Sequence, residues 1–258
     1  MQQIETKALI IKGTNYGESD RIMVLITEDL GNIKGIAKGA RKSLKRFGGA
    51  LEPFTLTKLL IKEGKGELCY INDAKVVNTF KSIKSDIEKI SYGSYILELA
   101  DALSVEDNDP VSETNKVFFA LLLSSLEKLD SSKEPQVVVR EFEIRVLSLT
   151  GYMPSLVECT SCGNNIFHAK GKSEVFHETA FSQSRGGVVC EGCRGHEKSA
   201  FDFVSPGTLK TLSNVLSGRV SFTKHALDES GVLLGRFISQ HIGKRLKSLD
   251  FIEHMKGI

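Results

Sequence analysis

Two Cys-x-x-Cys turns, Cys159-Thr-Ser-Cys162 and Cys190-Glu-Gly-Cys193, constrain this chain more than any other feature. A turn of this kind sets two thiolates on one side of a tight loop. A pair of turns supplies the four ligands of a tetrahedral Zn²⁺. Gly163 and Gly192 ease the backbone there. The spacer is longer than the commonest one, but residues 174–189 contain strand-like pieces that could form a ribbon. So short a segment lacks a core of its own, and the metal substitutes for it. A redox dithiol, an iron–sulfur cluster or unrelated cysteines are the competing readings; the pairing of two turns favours structural zinc. Four thiolates close the coordination shell and leave no position for an activated water, so a catalytic metal is not expected. His168, His177 and His196 are close enough in sequence to replace a ligand, but there is no His-Glu-x-x-His. The odd fifth thiol, Cys69, reads as a small buried hydrophobe. An odd cysteine count argues against a disulfide framework, and the first residues lack the layout of a secretory signal. A cytoplasmic protein is expected, and no window approaches the ~20 apolar residues of a membrane span.

Residues 4–78 read as strands: 6–12, 21–27, 32–38, 54–62 and 68–77, with turns at 29–32 and 63–66. Pro53 enters the fourth strand where a missing amide hydrogen is tolerated. Five short strands with glycine turns predict a small closed barrel of the oligonucleotide-binding (OB) type. After the third strand comes Lys34-Gly-Ile-Ala-Lys-Gly-Ala-Arg-Lys-Ser-Leu-Lys-Arg46. It carries six basic residues, and no Asp or Glu occurs from Gly31 to Leu51. The whole chain is nearly neutral at +2, so the clustering matters more than the total. A polyanion with regularly spaced phosphates suits such a run, because each neutralised phosphate releases a condensed counterion. A merely solvated loop is the plainer reading. Trp is absent, so base stacking falls to Phe, Tyr or Arg. Phe47 is either such a stacker or a core plug. Ser19 and Asp20 resemble part of a catalytic set, but no histidine precedes His168, and Ser19 reads as a turn residue.

From Ser82 the apolar period becomes helical. Helices are expected over 83–103, 112–129 and 135–149, the last opened by Pro135 and closed by Gly151. The polar stretch 106–110 is a loop. Ser205-Pro206 starts a further helix that ends at Gly218, and 225–249 reads as one long final helix. Lys244, Arg245 and Lys247 would sit in its last turn, where cations complement the dipole. A site for the acidic tail of a partner protein is the sharper alternative. The expected organisation is α+β and multidomain: an OB barrel over 1–80, a helical bundle from 81–155 and 205–258, and an inserted four-cysteine zinc module over 156–204.

Several strings together resemble the RecO family of bacterial recombination mediators: Tyr16-Gly-Glu-Ser-Asp-Arg21, Thr27-Glu-Asp-Leu-Gly31, Ile36-Ala-Lys-Gly-Ala-Arg41, Arg46-Phe-Gly-Gly-Ala-Leu-Glu-Pro-Phe54 and Leu246-Lys-Ser-Leu249. The order of parts agrees along essentially the whole chain. The resemblance implies a DNA-repair protein, associated with the nucleoid, that binds single- and double-stranded DNA and is not an enzyme. It also implies annealing of strands coated by the single-stranded-DNA-binding protein, contact with that protein's acidic tail, and assistance to RecA loading together with RecR. Carried over by position, Lys34, Lys38, Arg41, Lys42, Lys45 and Arg46 form the phosphate track, joined by Arg21. An RNA-binding or transcription module is the alternative, since such modules also pair a barrel with a zinc ribbon. A nuclease would need clustered carboxylates for Mg²⁺, and the acids here are scattered.

Overall fold

The computed structural model describes residues 3–64, 68–104, 113–167, 178–195 and 200–256. The chain divides into two compact units, Met1–Lys133 and Glu134–Ile258. The division falls inside the 81–155 stretch expected to open the helical bundle. The acidic loop 106–110, part of the 63–66 turn and His168, His177 and His196 lie outside the described residues.

In the first unit, strands β1 (Gln3–Tyr16), β2 (Asp20–Thr27), β3 (Gly31–Ala37), β4 (Leu56–Lys62) and β5 (Leu68–Asn78) close into a barrel of order β1-β2-β3-β5-β4. Only the β3–β5 contact is parallel. The fold is α+β, and this barrel has the OB arrangement. β1 is longer than the apolar run at 6–12 suggests, because it serves two neighbours. Gln3 to Leu9 pair with β4, while Ala8 to Tyr16 pair with β2. A bulge between Ile10 and Lys12 bends the strand from one partner toward the other, as barrel closure requires. Ala8, Ile10, Met23, Leu25, Leu59 and Ile71 fill the interior. Gly35 faces Cys69 across the parallel contact; a Cβ on Gly35 would lie 2.9 Å from the Cys69 sulfur, so the strands close only with glycine there.

A short helix, α1 (Leu44–Phe47), interrupts the basic segment. Beyond the barrel, α2 (Lys81–Ser85), α3 (Ile87–Leu103) and α4 (Glu113–Ser131) complete the unit. Asp86 caps α3 by accepting from the amides of Glu88 and Lys89. Gly93 on α3 admits the Phe54 ring, whose edge would lie 2.8 Å from a Cβ. The Lys12 ammonium reaches Asp101 at 2.9 Å, and the Asn32 amide donates to Asp101 and Ser104. Through these contacts the barrel and its helices become one packed body.

The second unit comprises α5 (Pro135–Leu149), β6 (Thr179–Ser182), β7 (Gly187–Val189), α6 (Glu191–Arg194), β8 (Asp202–Val204), α7 (Pro206–Asn214), a 3₁₀ turn (Val215–Ser217), α8 (Lys224–His241) and α9 (Lys247–Lys256). β6 is central in the sheet β7-β6-β8. Phe181 of β6 meets Phe237 of α8 edge to face, ring centroids 6.0 Å apart, tying sheet to helix. Inside, Glu143 is fully buried and pairs with Arg140 at 2.9 Å. The long final helix expected over 225–249 is two helices. Thr223 caps α8 by accepting from the Ala226 amide, and Gly243, at φ +66°, turns the chain before α9. Lys244 and Arg245 therefore lie in the connection rather than in a last turn, and Arg245 pairs with Asp250. No helix among the described residues is long and apolar enough to cross a membrane.

Candidate nucleic-acid interface and cysteine centre

The basic segment leaves the barrel at the end of β3 and passes over its mouth. Gly39, at φ +68°, makes the exit turn. The loop is stapled to the β1–β2 turn. The Gly39 amide donates to Asp20 Oδ1 at 2.8 Å, the Arg41 amide donates to the Ser19 carbonyl at 3.0 Å, and Arg41 Nη1 donates to the Glu18 carbonyl at 3.1 Å. The Gly39 amide, helped by Ser19 and by the charge of Lys38, holds the Asp20 carboxyl below its ordinary value. A turn that the sequence suggested as a mere connection thus orders the loop.

Lys34, Lys38, Arg41, Lys42, Lys45 and Arg46 are all exposed. Among the described residues none of the six is salt-bridged to a carboxylate. Two rest on aromatic rings: Lys38 lies 5.1 Å from the Tyr70 centroid and Arg46 5.0 Å from that of Phe47. Arg46 also donates to the Lys38 carbonyl at 2.9 Å. Phe47 itself is 3% exposed and plugs the barrel core, so it is not available to stack on a base. Arg21 differs from the six. It projects from β2 and is tied to Glu52 at 2.8 Å. Sequence reasoning passed over Glu52; its one signal was being the first acid after the acid-free stretch.

The four cysteines of the second unit converge. Their sulfurs all lie within 4.8 Å of one another, with Cys162 and Cys190 3.7 Å apart. A tetrahedral ZnS₄ site, with Zn–S of about 2.3 Å, would have sulfurs about 3.8 Å apart. The first turn is held by a small bridge between Glu158 and Asn165, and the second follows β7 directly, with Cys190 at the N-cap of α6. The Thr160 amide donates to the Val188 carbonyl and fastens one turn to the other. Burial alone would raise the Cys159 thiol. The amides of Cys190, Ser161 and Cys162 outweigh it and bring this thiol down to about 6. In the same cluster Cys193 is pushed up to about 12 by hydrogen bonds with Cys190 and Cys162, so the thiols compete for protons. It is the convergence of four sulfurs at this spacing that fits a thiolate-bound metal. Cys69 stands apart: burial pushes it up to about 11, which leaves it inert as a nucleophile.

An OB-type barrel with a cationic rim, packed helices and a cluster of four thiols together define an α+β protein of a compound kind. A family model described as Recombination protein O N terminal matches residues 1–80, and one described as Recombination protein O C terminal matches residues 84–250. Curated relatives match end to end. The DNA repair protein RecO of Myxococcus xanthus is 34% identical over 254 residues, covering 98% of each chain. That of Pelobacter propionicus is 32% identical over 257 residues, covering 100% of this chain and 99% of the relative. That of Acetivibrio thermocellus is 29% identical over 264 residues, with the same coverage. The chain belongs to the RecO family, whose names place it in DNA repair and recombination.

Proposed function

We propose that the protein is a non-enzymatic mediator of DNA repair and recombination. It binds single- and double-stranded DNA along Lys34, Lys38, Arg41, Lys42, Lys45 and Arg46, with Arg21 beside them. One observation carries the reading: six exposed cations stand on the end of β3 and on the ordered segment that follows it through α1, with no carboxylate salt-bridged to any of them among the described residues. Contacts to phosphate give affinity with little sequence preference. Neutralising two backbones lowers their mutual repulsion, so complementary strands can pair while bound. The barrel needs no reactive group for this; it supplies charge at fixed spacing. Family membership supports the finer reading, in which strands coated by the single-stranded-DNA-binding protein are annealed, that protein's acidic tail is bound, and RecR joins in loading RecA at the nucleoid in the cytoplasm.

Cys159, Cys162, Cys190 and Cys193 hold a structural Zn²⁺ in this account. When bound, the ion supplies a crosslink between the two turns. Annealing of complementary oligonucleotides, bare and precoated, tests the function. Acceleration in both cases is expected, without nucleotide turnover or strand cleavage. Cleavage in Mg²⁺, or a preference for RNA over DNA of the same sequence, would contradict it.

A further inference from the structure

Arg21 has donors to spare. A guanidinium carries five N–H groups, and here Nη1 meets Glu52 while Nε is buried without an acceptor. The environment is asymmetric: the Arg21 side chain is 18% exposed, but its Glu52 partner is 55% exposed. Gly13 on β1 makes room for it, since a Cβ there would stand 2.9 Å from Arg21 Nη2. Around the pair is a cleft of about 450 Å³, lined among others by Asn15, Arg41, Gly48 and Gly49. Leaving a buried donor unpaired is costly, and a carboxylate held mainly in water is a weak partner for it. A backbone phosphodiester presents two charged non-bridging oxygens that the guanidinium fork can take together, whereas Glu52 Oε1 meets Nη1 and leaves Nε unpaired.

We propose that this cleft is a latched phosphate subsite. Glu52 holds Arg21 in place when no strand is bound and gives way to a backbone phosphate of nucleic acid, so that Glu52 sets the threshold for engaging the barrel mouth. The proposal rests on the DNA-binding reading of the rim and adds to it one residue that opposes binding. Swinging Glu52 outward moves an already half-exposed group into water, whereas Arg21 stays where Gly13 and β2 hold it.

The test is a salt titration of single-stranded oligonucleotide binding by the full chain as wild type, Glu52→Gln, Arg21→Gln and the double variant, each checked for folding by thermal melt. Glu18→Gln, an exposed acid near the rim that does not contact Arg21, controls for simple loss of negative charge. Glu52→Gln is expected to tighten binding several-fold with the slope of log K against log salt little changed, because the wild-type complex already contains the Arg21–phosphate contact. Arg21→Gln, by contrast, should flatten that slope by about 0.7, the value of one single-strand phosphate contact. The double variant should bind like Arg21→Gln alone. If Arg21→Gln does not fold, Arg21→Lys replaces it, keeping the charge but losing the fork, and the Glu52→Gln gain should shrink in that background. A gain that persists undiminished without the Arg21 fork, or that Glu18→Gln reproduces, overturns the latch. Charge reversal on the rim that abolishes binding while Glu52→Gln does nothing overturns the latch and leaves the mediator reading intact.

Discussion

Phe47 and Arg46 are neighbours in sequence with opposite tasks. The ring closes the barrel core, and the guanidinium lies over it while facing solvent. Sequence alone left Phe47 open between stacking and plugging, because one aromatic between basic residues fits both patterns. Only the closed barrel shows which side the ring takes. Phe47→Ala should cost about 3–5 kcal/mol in stability, the range for emptying a buried aromatic site. Chemical denaturation would check this, and an unchanged midpoint would mean the ring is not a core element. The charged residues were more legible than the aromatic one, since an acid-free run of basic residues has few ways to be buried. Their anchoring to Ser19 and Asp20 was not legible, because those bonds join segments that are adjacent only in the folded barrel.

At the scale of elements, caps decide where helices start. Ser205 caps α7 by accepting from the Thr208 amide, and Glu229 of α8 accepts from the Ser205 amide at 2.9 Å and from its hydroxyl at 2.6 Å. Burial alone would raise the Glu229 carboxyl, but hydrogen bonds from Ser205 and Thr208 outweigh it and keep it below its ordinary 4.5. A depressed folded value means the stabilisation is complete above pH 4.5 and fades as pH falls through the lower folded value. Glu229→Gln should therefore melt below wild type at neutral pH, with the gap closing in acid below 4.5; a gap independent of pH would assign the effect to packing. Ser205→Ala should cost about 1 kcal/mol. The Ser-Pro start was readable because it is local. The break at Gly243 was not, since Phe237, Ile238, Ile242 and Leu246 keep a helical rhythm straight through it. Apolar period reports which residues are inward, and two consecutive helices can share one period.

For the whole molecule, the two Cys-x-x-Cys turns and the change of period near residue 80 made the parts legible: five strands, helices and a thiol cluster. The grouping into units at 133/134 was less so, because α2 to α4 pack with the barrel through contacts such as Gly93 with Phe54 that leave no periodic trace. Stripping metal with a chelator is expected to lower the melting temperature and loosen the cysteine segment, as followed by hydrogen exchange; unchanged protection of β6 and β7 would remove the structural role assigned to zinc. The central claim is electrostatic, and the most direct measurement is the salt dependence of DNA binding by wild type and by the Lys38→Glu, Arg41→Glu double variant. Removing two phosphate contacts should weaken binding and flatten the slope of log K against log salt by about 1.4 on single strands. An unchanged slope with the fold intact would contradict the account.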